Sequence, residues 1–486
     1  MVEESVKVHD KFSIEIKLGF NARKKHKTSQ FAVNMWLFIP NSLDINPLTY
    51  GKKDFYRDLK SNIRLTTPVY LLRDIASGLN SPFLLLEESI RRLASNPSRT
   101  NTADYEYHIK MFLSILKSAL RNEIEHIKSN TIKEDKFFLI NEFAISINQI
   151  TERYRSLRRI INASTISKEL LNFYLFGDEF MSNIIEQHAF SLIESFKKNK
   201  NKSITLAKEG VLQIIRCETE YKKGMGYPIV EKDEKIKTRE LVFRLGLLKK
   251  FAENELFLTA NKKRDGILVE QMYYSVAAGI SMIFATAIAF SFQLKYGNYT
   301  IPLFVALVIS YMLKDRIKEL SRYYFAHKLG KRYFDHKTKI NLKETTIGWS
   351  KEAMDFIADD KIPDEVLKIR DRSAILEANN RSFSEKIILY RKLVKIFRSH
   401  LDSNTQYNTT GINDIIRFNI SSYVTKMDDP EFPLFIADEN DNISIINGER
   451  TYYLNLVMQL NYEQQTDYKR YRVALNRKGI LDIESY

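Results

Sequence analysis

The chain has 486 residues, with 75 lysines and arginines against 60 aspartates and glutamates, for a formal net charge of +15. Hydrophobic residues make up 44%, enough for packed cores, which excludes a disordered polymer. Only 16 glycines and 10 prolines exclude collagen-like and low-complexity chains, and the single Cys217 excludes an intramolecular disulfide framework and a cysteine-based zinc site.

The opening stretch MVEESVKVHDKFSIEIK begins with acids and has no apolar h-region, so it is not expected to be a cleaved signal peptide. Residues 12–20 and 31–39 are predicted strands of an amino-terminal β-hairpin segment (1–50), because Phe12, Ile14, Ile16 and Leu18 alternate. Their connection carries Arg23, Lys24, Lys25 and Lys27, a basic finger able to contact phosphates; a solvated loop is the plainer alternative.

Residues 51–230 read as a helical domain, with apolar faces such as Tyr107, Met111, Ile115 and Ala119, and a break at 95–104. Arg153, Arg155, Arg158 and Arg159 form a basic stretch that is a second candidate for an anionic ligand, against the plainer reading of a solvated face. Between 231 and 270, Leu241, Leu245, Leu248, Ala252 and Leu256 form a stripe flanked by Arg239, Arg244, Lys249 and Lys250. That pattern suits a basic juxtamembrane helix in the headgroup layer or, equally, a core helix of the preceding domain.

Residues 271–313 hold the strongest apolar signal. Met272–Phe292 is 21 residues without a charge, long enough for a hydrocarbon core of about 30 Å. A short link follows, then Ile301–Leu313, which spans only about 20 Å, so Lys314 and Arg316 are expected to snorkel. A buried helical hairpin in a soluble core is the alternative. Lys235–Arg264 holds nine lysines and arginines against three acids, and Lys314–Glu344 ten against four, while the link holds one lysine. The positive-inside rule then places both termini in the cytoplasm. Ala277, Ser281, Ala285 and Ala289 recur every four residues; such small residues let helices approach closely, either within one chain or between subunits at a pore. Neither apolar run contains an ionisable residue, which argues against an ion-coupled transporter and leaves an apolar channel open.

A helical stalk and connector is expected over 314–402, and an antiparallel β domain over 403–486. There, Ile415–Thr425, Phe432–Ala437, Ile443–Ile446, Tyr452–Tyr462 and the stretch around Tyr471, Val473 and Leu475 give about five strands, with Asn447-Gly448 as a hairpin turn signal. No phosphate loop, dinucleotide fingerprint, hydrolase elbow or HExxH spacing occurs. The acidic ADENDN (437–442) lacks the EF-hand pattern. No catalytic residue, cofactor or metal is therefore expected, and the chain is not expected to be an enzyme.

The predicted fold class is an α+β integral membrane protein: a mainly helical cytoplasmic domain, a two-helix transmembrane hairpin and a carboxy-terminal antiparallel β domain. In layout it resembles the two-span membrane effectors of bacterial anti-phage defence, in which a soluble sensor controls membrane permeability. The resemblance implies a homo-oligomeric, ligand-gated pore in which Arg23–Lys27 and Arg153–Arg159 contact an anionic signal such as an oligonucleotide. The expected partners are the lipid bilayer, further copies of the chain, that anionic ligand and an operon-encoded partner protein. The Lys/Asn/Ile-rich composition suggests a bacterial source, so the membrane expected from the apolar runs is the bacterial inner membrane. A membrane-anchored scaffold and a membrane-tethered enzyme with an unrecognised site are the alternatives.

Overall fold

The computed structural model describes residues 2–23, 26–78, 81–196, 202–230, 234–324, 333–372, 385–437 and 443–486. It is a mixed α+β chain in two units: a β-rich unit of residues 1–63, 258–404 and 411–486, and a helical unit of residues 64–257 and 405–410.

The strands are β1 (Val2–Asp10), β2 (Ser13–Asn21), β3 (Thr28–Pro40), β4 (Leu59–Leu65), β5 (Thr259–Arg264), β6 (His336–Leu342), β7 (Thr345–Ile357), β8 (Glu385–Phe397), β9 (Gly411–Asn419), β10 (Glu431–Ala437), β11 (Ile443–Glu449), β12 (Tyr452–Tyr462), β13 (Gln465–Asn476) and β14 (Gly479–Ser485). The helices are α1 (Lys52–Asp58), α2 (Asp74–Ser77), α3 (Pro82–Ser95), α4 (Arg99–Ser129), α5 (Lys133–Ser156), α6 (Arg158–Ile161), α7 (Lys168–Ser195), α8 (Lys202–Met225), α9 (Lys235–Glu253), α10 (Ile267–Tyr296), α11 (Ile301–Tyr324), α12 (Asp364–Arg370), α13 (Arg398–Asn404) and α14 (Ser421–Val424).

In the β-rich unit one sheet has the order β1-β2-β9-β4 and a second the order β14-β13-β12-β3-β8-β7-β6-β5, while β10 and β11 form a separate ribbon. Alternation builds the core between the two large sheets. Ile14, Ile16, Leu18 and Phe20 of β2 are buried, as are Phe31, Val33 and Met35 of β3. The Phe20 and Phe31 rings meet at 5.4 Å across the two sheets.

Three expectations change here. The two amino-terminal strands do not form a hairpin: β2 pairs with β1 and β9, and β3 pairs with β8 and β12, so the basic connection crosses from one sheet to the other. The stretch expected to be a helical stalk supplies β6, β7 and β8, whose inward positions Thr338, Ile340, Ile388, Tyr390, Val394 and Ile396 alternate at the strand period. Asn447-Gly448 is not a turn. Both residues lie within β11, opposite Pro433 and Phe432, and β11 pairs with β10 rather than with β12. The carboxy-terminal strands are antiparallel as expected, but only β12, β13 and β14 form a meander.

The helical unit forms around α4, which is buried nearly all round between Ile109 and Leu116. Serines cap α3, α4 and α7: Ser81, Ser98 and Ser167 accept from the backbone N–H groups of Leu84, Asn101 and Leu170. The Phe112, Tyr154 and Tyr174 rings stack in series at 5.6 and 4.9 Å. Gly177 permits that stack, because a Cβ there would lie 2.4 Å from the Tyr154 hydroxyl. The stripe on α9 packs into this core: Leu241, Leu248 and Ala252 are buried, and Arg244 makes a bidentate pair with the buried Glu179 at 2.6 Å.

Helices α10 and α11 leave the β-rich unit between β5 and β6. Among the described residues one helix, Ile267–Tyr296, is long and apolar enough to cross a membrane.

Candidate functional site at the root of the helical hairpin

Strands β5 and β6 are neighbours, with Arg264 opposite His336. The chain therefore leaves the sheet at one residue of a cross-strand pair, makes two helices, and returns at the other. The exit is sharp. Gly266 sits at φ +74°, and a Cβ there would approach the Tyr333 ring at 3.0 Å.

Both ends of this insertion are pinned to their neighbours. On the return side, Asp335 accepts from the Tyr56 hydroxyl at 2.9 Å and the Met354 backbone N–H at 2.8 Å, and pairs with Lys52 at 2.6 Å. On the exit side, Asp265 pairs with Lys351 at 2.9 Å, and Arg264 with Glu270 on the first turn of α10 at 3.1 Å. Exit and return also meet directly, the Asp265 N–H donating to the Asp335 carbonyl at 3.3 Å.

A row of polar residues runs inward from this root at strand register: Arg264, His336, Glu352 and Lys392 stand opposite one another across β5, β6, β7 and β8. Lys392 is fully buried and ion-paired with Asp414 of the other sheet and with Glu352 at 3.7 Å, while Ser61 donates to Asp414 at 2.6 Å. Burial opposes the charge on Lys392, but Asp414 and Glu352 outweigh it and hold the ammonium above the usual lysine range. Burial likewise disfavours the Glu352 carboxylate, yet Lys392 and Lys262 hold it below its usual range. His336 is pushed down by burial and by Lys262, its Nδ1 is buried without a hydrogen-bond partner, and its ring meets Tyr56 edge-on at 4.4 Å. A cavity of about 600 Å³ opens beside the root, with Lys52, Lys53, Arg57 and Arg264 facing Asp265, Glu270 and Asp335. Among the described residues no cluster of His, Cys, Asp and Glu is arranged to hold a metal ion. Four cations thus face three carboxylates, and the three carboxylates tie Lys52, Lys351 and Arg264 across neighbouring strands and helices.

The residues singled out in sequence fall elsewhere. Arg23 is exposed and pairs with Glu463 at 3.3 Å, lying over the Tyr462 ring; Lys27 is exposed; Lys24 and Lys25 lie outside the described residues. Arg153, Arg155, Arg158 and Arg159 do not share one helix, because α5 ends at Ser156 and α6 begins at Arg158. Arg153 donates to the Ala76 carbonyl and covers the Phe83 ring at 4.5 Å. Arg155 bonds Glu218 at 2.7 Å and lies 3.4 Å over Tyr221, beside the buried Asp178. These two hold the helical core together, and only Arg158 and Arg159 remain exposed.

On α10, Ala277 and Ser281 are buried, Ala285 and Ala289 are half-buried, and Ser310 of α11 donates to the Ala285 carbonyl at 3.1 Å. The small-residue stripe thus packs against α11 of the same chain. The root residues Asp265, Asp335, Glu352, Lys392 and Asp414 were missed in sequence; the available signal was Lys392 at the same parity as the apolar Tyr390, Val394 and Ile396. Comparison with protein-family models, curated proteins and solved structures returned no match.

Proposed function

We propose that this protein is a membrane effector: the α10–α11 hairpin enters the bilayer, the β-rich unit grips both its ends, and hairpins of several copies associate to form a ligand-controlled pore. The carrying observation is the unmatched apolar surface of the hairpin. Met272, Val276, Ile280, Ile283, Phe290, Ile301, Phe304, Ile309 and Met312 are all exposed, far more than scattered surface hydrophobes, and only Ala277, Ser281, Ala306 and Ser310 are buried between the two helices.

Helix register favours a pore over a passive tether. The contacts of Ser310 with Ala285 and of Arg322 with the Tyr274 ring fix the antiparallel alignment. That alignment sets Lys314, Asp315 and Arg316 beside Ile280–Met282, only about 24 Å from the turn at Gly297. A hydrocarbon core of about 30 Å would therefore reach these charges, and charges at that depth are stable where they face protein or a water-filled cavity. Association of hairpins with the α11 charges around a shared aqueous mouth meets that requirement. The tether remains the second reading, supported by the use of the Ala277–Ala289 stripe within one chain.

Purified protein in proteoliposomes separates the two. A pore passes ions in at least one ligand state, and Arg316→Glu alters the cation-to-anion preference of the current. A tether sediments with the liposomes but leaves them tight in every state.

A further inference from the structure

The helical unit contains a second cavity, of about 210 Å³, where α4, α7 and α9 meet the start of the unit at Arg64. Its charges do not balance. Arg64, Lys117, Arg121 and Lys249 line it with one carboxylate, Glu253. Glu253 is shared by Lys117 at 2.5 Å and Arg64 at 3.6 Å. One carboxylate cannot neutralise both. The guanidinium of Arg121 finds only uncharged partners, Ser118 at 3.4 Å and Asn122 at 3.2 Å, and Lys249 has no ion pair among the described residues. The Nε of Arg64 is buried with no hydrogen-bond partner among the described residues. Such a donor costs free energy until an acceptor arrives.

The wall adds a sixth group. His188 donates from Nδ1 to the Ile184 carbonyl at 2.7 Å, which leaves Nε2 as its other polar atom at the cavity. Burial lowers the proton affinity of both His188 and Lys117. Lys117 and Arg121 add to the shift on His188, and Lys249 and Arg64 add to that on Lys117. The cluster is thus arranged against its own charge, and an anion relieves that repulsion for every member at once.

Size and donor type narrow the ligand. The cavity is smaller than the roughly 300 Å³ at which sites for drug-sized ligands begin, so a whole nucleotide does not fit. Two guanidinium forks and two ammonium groups suit a tetrahedral oxyanion of charge near −2 better than a monovalent carboxylate. We propose that this cavity binds a phosphoryl dianion, either inorganic phosphate or the terminal phosphate of a small phosphomonoester whose remainder stays outside. The proposal goes beyond the membrane reading and does not depend on it.

The test is titration calorimetry on the full-length protein in detergent at fixed ionic strength, with inorganic phosphate, phenyl phosphate and chloride as probes. Arg121 and Lys249 are exposed, so Arg121→Gln and Lys249→Gln leave the fold intact. Saturable phosphate binding, absent for chloride and weakened roughly tenfold by either substitution, is expected. Arg158→Gln with Arg159→Gln, which removes two exposed charges elsewhere, is expected to leave affinity unchanged. Tighter binding of phenyl phosphate than of inorganic phosphate identifies a phosphomonoester end as the ligand; the reverse identifies free phosphate. Absence of saturable binding, or binding that survives both Arg121→Gln and Lys249→Gln, overturns the proposal.

Discussion

The cavity at the hairpin root and the cavity in the helical unit are each lined by four lysines and arginines, yet they differ in their acids: Asp265, Glu270 and Asp335 at the root, Glu253 alone in the helical unit. At the root, carboxylates bind strands and helices to one another, and most of the donors are already used. In the helical unit, among the described residues, Arg121 and Lys249 find no acid and the Nε of Arg64 finds no acceptor. A count of basic residues would call the two sites alike. Pairing separates a junction whose carboxylates are engaged from a cavity whose cations outnumber its one carboxylate.

The contrast breaks most visibly at Lys392. Lys392→Met leaves Asp414 and Glu352 buried without their cation and is expected to destabilise the β-rich unit by about 3–5 kcal/mol. Both tryptophans, Trp36 and Trp349, lie in that unit, so tryptophan fluorescence during urea unfolding reports it selectively. If the loss stays under about 1 kcal/mol, the ladder is not the support described here.

Asp335→Ala comes next, at about 2–3 kcal/mol, since it removes acceptors for Tyr56 and Met354 and the partner of Lys52. Amide exchange is expected to rise across β5 and β6, which hold the hairpin, more than across β12 and β13. Uniform protection would show that the grip lies elsewhere.

A smaller effect concerns pH. His336 binds protons less readily in the fold than in the unfolded chain, because burial and Lys262 disfavour the imidazolium. Its contribution is complete above the ordinary histidine range, near about 6.5, and is lost as pH falls through the lower folded value. His336→Gln should therefore flatten the acid side of the tryptophan-detected stability profile. The smallest expected change is at Arg121→Gln and Lys249→Gln, each within about 0.5 kcal/mol of the parent, because neither cation supports the fold through a salt bridge.

The long-range signals were legible: the apolar helix of α10, the helical face of α4 and a strand at Tyr452–Tyr462 all emerge where they were expected, although Leu454–Met458 of that strand are buried on both faces. Strand partners were not, since β2 and β3 are adjacent in sequence yet belong to different sheets. The amino-terminal strand β1 was hidden by its half-exposed, charged alternation, EESVKVHD, which is how an edge strand looks. Strands β6 to β8 were hidden differently. Their alternation is present, but Lys392 and Glu352 occupy inward positions and interrupt it with charge. The root escaped notice for the same reason: Asp265, Asp335 and Asp414 are far apart in sequence, and only pairing of β5 with β6 and packing of the two sheets brings them near the hairpin. Among the arginines, local density pointed to Arg153 and Arg155. Their contacts with Ala76, Phe83 and Glu218 depend on tertiary neighbours that spacing does not encode.

The central claim is that a hairpin gripped at both ends by the β-rich unit sits in lipid. Site-directed nitroxide labels test it most directly, in liposomes and with the exposed Cys217 replaced by serine. Labels at Ile283, Phe290, Phe304 and Ile309 are predicted to be accessible to oxygen and shielded from a water-soluble paramagnetic reagent, with the pattern reversed at Asn298 and Arg316. Aqueous accessibility at all six positions, with protein that carbonate washes from the liposomes, would contradict the account.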